Sequence, residues 1–307
     1  MSLRILEPGL HTMLVDFGRS HSRGLGVPIG GAADRTSLTI GNALVGNPPD
    51  ALALEITLAG PTIRAECDLA CVVYGASFDL SSSRQSLKTG TTFTMQTGET
   101  VTVGGAYAGV RAYFCVAGGF DNPTVLGSRS AWQPLSGESV LACSSSRISR
   151  RFVKIPWNWD ESTNSGPTML RILNGAQSDW FPADILCRDG MDSASFRISP
   201  SGNRMGLRLD GQTLPYPDRE MVSEPVCPGT MQVTRSGQPI LLGIDGQTIG
   251  GYPKLAQVIS ADVDKLGQLR PGDDIVFRKV PLEEAERLWL DKQAELVYWV
   301  KQIRMGS

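Results

Sequence analysis

The chain has 307 residues, a formal net charge of −2 and a mean hydropathy of −0.08. That length suits two domains, each with its own core, and a near-zero charge argues against a nucleic-acid binder, which needs a basic stripe to meet phosphates. No run of 18 apolar residues occurs and the opening MSLRILEPGLH lacks the apolar stretch of a secretory signal, so the expectation is a cytoplasmic protein with neither membrane nor nucleic acid as a partner.

Glycine (34) and proline (19) are plentiful, which favours many short strands joined by turns. In the first half, strands are expected at Leu52–Leu58, Leu69–Tyr74, Thr91–Met95, Thr100–Val103 and Arg111–Ala117. Thr91–Met95 and Thr100–Val103 alternate polar and apolar residues with the period of a half-buried strand. One helix is expected after Asp34, which stands as an N-cap before RTSLTIGNALVG, with Gly46 closing it in a left-handed conformation. Ser144–Pro167 reads as a linker, within which Trp157 and Trp159 suggest some packing. The second half opens with a strand at Met169–Leu173 and a short helix from Asp179. Strands follow at Ala194–Ile198, Ile240–Ile244, Ala256–Ser260 and Asp274–Val280. Leu282, Ala285, Leu288, Trp289, Leu296, Trp299, Val300 and Ile303 then recur at helical spacing, with acids in the first turn and bases in the last. This amphipathic helix is expected to dock on its own domain, with a partner or dimer surface as the alternative. The predicted domains are residues 1–150 and 165–307.

Familiar catalytic signatures are missing. Six cysteines stand at 67, 71, 115, 143, 187 and 227 without a CxxC, and read as free thiols packed like small apolar residues. His11 and His21 are the only histidines, too few for a three-imidazole zinc site, and no metal centre is expected. There is no GxSxG, GxxxxGK[ST] or HExxH. Gly24–Gly30 has the wrong spacing for a dinucleotide loop, and Pro28 would interrupt the helix such a loop opens.

Three segments combine glycine, proline and polar side chains. Gly24–Asp34 (GLGVPIGGAAD) turns sharply and leaves backbone N–H groups uncovered; its Asp34 suits a general base or only the helix cap, and the two roles are compatible. In Ser199–Gly211, Arg204 lies in a glycine-flanked loop, either as a bidentate clamp for a carboxylate or phosphate or as a surface arginine in a turn. Asp245–Lys254 (DGQTIGGYPK) is the richest. Gln247 and Thr248 offer donors and acceptors, Gly250 and Gly251 permit close backbone approach, and Tyr252 and Lys254 flank Pro253. A lysine in a partly dry site neutralises an oxyanion or phosphate.

These segments resemble the subunit-2 family of allophanate-hydrolase-type proteins, also called carboxyltransferase subdomains A and B. The resemblance runs from about Ile5 to Glu286. It rests on Gly18-Arg19, GVPIGGAAD (26–34), NALVGN (42–47), LEITL (54–58), RAYFCVAGG (111–119), NRMG (203–206), Pro228-Gly229, Gln232-Val233, GQPI (237–240), DGQTIGGYPK (245–254) and RPGD (270–273). It implies two cyclophilin-like β-barrel domains that line a ligand cleft, and with the C-terminal amphipathic helix read from spacing the expected fold is mainly β with a few helices. It implies a partner, the smaller protein made of subdomains C and D, and in the 5-oxoprolinase type a third subunit. The function implied first is a hydrolase subunit acting on a small amide or lactam, 5-oxoproline to glutamate, with ATP as the cofactor used together with the partner subunits. The alternatives are a biotin-dependent carboxyltransferase component, with biotin presented by another protein, and a regulatory binding protein that controls a kinase through its partner. In this frame Lys254 and Arg204 bind anions; Gln232, Gln247, Thr248, Gly250, Gly251 and Tyr252 contact substrate; and Asp34 or Glu55 is the acid or base. Two departures are visible: Gly24 stands where the family often has histidine, and the stretch after Gly127–Ser130 is about a dozen residues short.

Overall fold

The computed structural model describes residues 1–153, 166–186 and 195–306. The chain divides into two compact units interleaved in sequence. Met1–Gly18, Gly30–Thr163 and Glu295–Ser307 form the first, and Arg19–Ile29 with Asn164–Ala294 the second.

The first unit is an eight-stranded antiparallel sheet. Its strands are β1 (Ser2–Glu7), β2 (His11–Val15), β3 (Ala53–Thr57), β4 (Thr62–Ala65), β5 (Leu69–Ser82), β6 (Phe93–Met95), β7 (Thr100–Val116) and β8 (Val140–Ala142). They run in the order β2-β3-β7-β4-β1-β8, with β5 also on β7 and β6 on β5. Both faces are buried, which is why the central strands read as nearly continuous apolar runs. Leu54, Ile56, Val73, Ala112 and Phe114 fill one core; Ala53, Val72, Tyr74, Tyr113 and Cys115 fill the other. The second core is closed by helix α1 (Arg35–Leu44) through Leu38, Ile40 and Leu44. Asp34 caps α1 as expected, accepting from the Ser37 backbone N–H, and Gly46 follows the C-cap at φ +82°.

β5 and β7 are far longer than the sequence suggests. The expected Thr100–Val103 and Arg111–Ala117 are two ends of one strand that continues through GGAYAG. Glycines there read as a turn, but β7 pairs β5 along its length, and bulges between Gly75 and Leu80 absorb the mismatch in register. The start of the expected linker is likewise not free. Ser146 donates to the Asp68 carbonyl, and the backbone N–H groups of Ile148 and Arg151 donate to the Thr94 and Thr92 hydroxyls. Trp157 and Trp159 lie outside the described residues.

The second unit is a closed barrel of seven strands. These are β9 (Thr168–Asn174), β10 (Phe196–Ile198), β11 (Gly206–Asp210), β13 (Thr230–Val233), β14 (Pro239–Leu242), β16 (Lys254–Val258) and β17 (Asp274–Lys279). Their order is β10-β11-β14-β13-β16-β9-β17, and the pair β9–β17 is parallel. Two-residue strands β12 (Glu224–Pro225) and β15 (Ile249–Gly250) pair separately as a small ribbon. Leu170, Phe196, Leu209, Met231, Leu241, Ile275 and Phe277 fill the barrel. The helix expected at Asp179 is a single 3-10 turn, Ser178–Trp180, with Asp179 inside it rather than capping it. A short α2 (Val263–Leu266) follows β16. At its start, buried Asp262 accepts the Arg171 guanidinium at 2.5 and 2.8 Å and pairs with Lys265 at 3.0 Å.

Helix α3 (Leu282–Met305) serves both units. Ala285 is buried with Ile259, Ala261 and Val280 of the second, and Ile303 is buried in the core of the first. The expected docking on its own domain therefore describes its first half only. Among the described residues no helix is long and apolar enough to cross a membrane.

Candidate functional site

The site grows from an irregularity in the barrel. β13 and β16 run antiparallel with Met231 opposite Ala256 but Gln232 opposite Lys254, so Leu255 is an extra residue on β16. Opposed residues of antiparallel strands share a face. The bulge therefore turns Lys254 to the face of Gln232 and away from the core that holds Met231. Its backbone groups are met by the turn after β9. The Lys254 N–H donates to Gln177 Oε1 at 3.1 Å, and the Lys254 and Leu255 carbonyls accept from the Gln177 and Gly175 N–H groups. Position 175 must be glycine, because a Cβ there would stand 2.2 Å from the Lys254 carbonyl oxygen.

Lys254 and Gln232 are 6% and 2% exposed. The Lys254 ammonium lies 2.7 Å from Glu224 Oε2, which also accepts from Gln177 Nε2 at 3.2 Å. Hydrogen bonds from Lys254 and Gln177 hold the Glu224 carboxyl below the usual carboxylate range. Gln232 Oε1 accepts from Gln247 Nε2 at 3.4 Å, while Gln232 Nε2 has no acceptor among the described residues. The ribbon lies directly on this cluster. Glu224 pairs with Gly250, and a Cβ on Gly250 would meet Gln232 Nε2 at 2.3 Å and Gln247 Nε2 at 2.8 Å. The ribbon is tethered at Val226, whose N–H donates to the Thr248 carbonyl at 3.0 Å and whose carbonyl accepts from the Arg23 guanidinium.

The structure thus brings Lys254, Gln232, Gln247, Thr248 and Gly250 together. Gly251 and Tyr252 are exposed beside them, Tyr252 at 38%. Arg204 has a different occupation. Its guanidinium grips Asp245 through two bonds of 2.6 and 3.0 Å, tying the Asn203–Gly206 turn to the head of the 245–254 segment. The fork expected to clamp a ligand anion is taken by a carboxylate of the chain itself.

Asp34 and Glu55, the two alternative candidates for the acid or base, belong to the first unit. Register places Glu55 opposite Tyr113 on the face covered by α1. Its carboxylate is fully buried, accepts from the Tyr113 hydroxyl and the Ala33 N–H at 2.9 Å each, and lies 3.3 Å from Arg111. The Asp34 carboxylate accepts from the Ser37 N–H at 2.9 Å and the Ser37 hydroxyl at 2.6 Å. These are the bonds of a helix cap and a buried ion pair. The Gly127–Ser130 motif has a comparable task. Ser128, Ser130 and the Arg129 N–H all donate to buried Asp16. Burial alone would raise the Asp16 carboxyl, but these donors and the Gly18 N–H outweigh it and hold the group below its ordinary value.

Gln177 and Glu224 are site residues that sequence reasoning missed. Gln177 follows a predicted strand and Glu224 precedes a Pro-Val-Cys-Pro run, so both read as ordinary loop residues.

Solved structures share this architecture. The crystal structure of TTHA0988 matches with a TM-score of 0.79 and 34% identity over 90% of this chain and 55% of that one. Kluyveromyces lactis urea carboxylase matches with a TM-score of 0.84 and 25% identity over 97% of this chain and 29% of that one. The chain thus spans about half the length of the first and under a third of the second. Among sequence relatives, the C subunit of 5-oxoprolinase from Escherichia coli (strain K12) is 35% identical over 301 residues, 95% of each chain. Urea amidolyase of Saccharomyces cerevisiae is 26% identical over 94% of this chain and 17% of its own length. The architecture defines the class of domain that these larger chains contain. The family profile "Carboxyltransferase domain, subdomain A and B" matches residues 25–279, and the chain belongs to that family.

Proposed function

We propose that this chain is one component of an ATP-dependent hydrolase that opens a small lactam or amide, with 5-oxoproline to glutamate as the leading reaction. The observation that carries the reading is the 35% identity to the C subunit of a 5-oxoprolinase across 95% of both chains. The site's chemistry agrees with it. Lactam opening handles anionic oxygen and needs donors already fixed in place. Lys254 Nζ and Gln232 Nε2 are such donors, both buried and both on one face of the bulged pair. Gln247, Thr248 and Tyr252 orient substrate at the edge of the ribbon. Asp34 and Glu55 are given no acid–base role here, because their carboxylates already cap α1 and neutralise Arg111.

In this reading the chain works with a smaller partner made of subdomains C and D and with a third subunit, and nucleotide chemistry belongs to the assembly. The free thiols among the described residues support a reducing, cytoplasmic setting. The test is co-expression with both partners and assay of ADP and glutamate. The expected result is lactam-dependent ATP turnover that falls about 100-fold or more in Lys254→Met, the size of losing one fixed donor. No lactam-dependent turnover across a substrate panel would overturn the proposal.

A second reading, a biotin-dependent carboxyltransferase component, draws on the likeness to urea carboxylase. Biotin would then arrive on another chain. It requires the protein to accelerate decarboxylation of free carboxybiotin, and unchanged decarboxylation removes it.

A further inference from the structure

Glu224 is the charged group that faces the Lys254 ammonium, yet it differs from Lys254 in every other respect. The Lys254 side chain is 8% exposed and rooted in a barrel strand; the Glu224 side chain is 44% exposed and sits on a two-residue ribbon strand. Cross-strand pairing sets Gln232 about 5 Å from Lys254 at the Cβ atoms. Its amide nitrogen is buried and donates to nothing among the described residues. Burying a donor without an acceptor is costly, so this open N–H points to an acceptor brought from outside the chain.

An anionic ligand entering with Glu224 in place would put two carboxylates on one ammonium, an arrangement in which the like charges disfavour each other. Glu224 can resolve this by leaving. A half-exposed carboxylate hydrates at little cost, and the buried ammonium it leaves must be neutralised by the incoming carboxylate. Lys254 would then exchange one carboxylate for another and stay neutralised throughout.

We propose that Glu224 is a resident stand-in for the carboxylate of a small organic acid. It occupies Lys254 while the site is empty and swings to solvent when the ligand's carboxylate settles between Lys254 Nζ and Gln232 Nε2. The proposal rests on the reading of Lys254 as the substrate's anion site and adds its ligand class and its internal competitor.

The experiment is calorimetric titration of the full chain with 5-oxoproline and with its uncharged carboxamide. Wild type, Glu224→Gln and Lys254→Met are compared, with circular dichroism melts confirming that each variant is folded. E224Q is expected to bind the acid about two- to fivefold more tightly than wild type, the range of a partly exposed ion pair removed from competition, with amide affinity unchanged. K254M is expected to lose the preference for acid over amide. If E224Q binds the acid no better than wild type while K254M abolishes its binding, Glu224 merely positions Lys254: the proposal falls and the anion site stands. If K254M binds the acid as wild type does, or no variant binds it, the anion site falls as well.

Discussion

Glu55 has no exposed surface, and its carboxylate balances Arg111 while accepting from Tyr113 and the Ala33 backbone. Glu55→Ala would take the neighbouring carboxylate from the buried Arg111 guanidinium and its acceptor from the Tyr113 hydroxyl and the Ala33 N–H. The expected loss is about 3–5 kcal/mol, against about 1–2 kcal/mol for Tyr113→Phe, which removes one hydroxyl; urea unfolding measures both. Lys254 is a buried charge of a different kind. The partner of Glu55 is itself buried at 7% exposed, whereas the partner of Lys254 is half in solvent. The first arrangement holds a fold together, and the second leaves an ammonium available for exchange. Sequence alone does not separate these cases. Lys254 and Gln247 are legible because they sit in a segment with more functional groups than a turn requires, whereas Gln232 is reached only through the family resemblance. Glu224 and Gln177 are not, because their roles come from contacts with a residue 30 and 77 positions away.

The bulge at Leu255 and the ribbon at Gly250 carry the site between them. Gly250→Ala would drive a methyl into the space of the Gln232 amide. That amide ends a flexible side chain, so the expected outcome is a shifted donor rather than an unfolded barrel. The melting temperature should fall by no more than a few degrees while affinity for 5-oxoproline drops about tenfold or more, read by titration and a thermal melt on the same sample. Helix α1 is readable in the sequence, since an aspartate cap and a trailing glycine are local signals. The long strands β5 and β7 are not, because glycine-rich stretches look like turns until a neighbouring strand is seen to pair with them. The bulge is equally hidden: one residue of register shift leaves no trace in the pattern of LAQV.

Each unit keeps its own acid-sensitive carboxylate. Asp16 in the first and Asp262 in the second both titrate below their ordinary value. Burial opposes this in each, but it is outweighed by the serine and backbone donors around Asp16 and by Arg171 and Lys265 at Asp262. As pH falls through the ordinary carboxylate range the unfolded chain takes up protons that the folded chain still refuses. Stability is therefore fully present above about pH 5 and is lost as pH drops below about 4. Urea midpoints measured from pH 7 to pH 3 should show that decline, and Asp16→Asn should flatten it. That the chain forms two mainly β units is legible in its length and its glycine and proline content, but the partition is not. Arg19–Ile29 belongs with the later half and Glu295–Ser307 with the earlier one. That partition has a consequence during synthesis. Ile303 is a buried member of a core whose first member, Met13, leaves the ribosome when nearly the whole chain is still to be made. The first unit must wait, incomplete, while the second is being translated. A chain lacking its last few residues should therefore leave that core open and be prone to aggregate, which light scattering of a truncated chain ending before Ile303 would show.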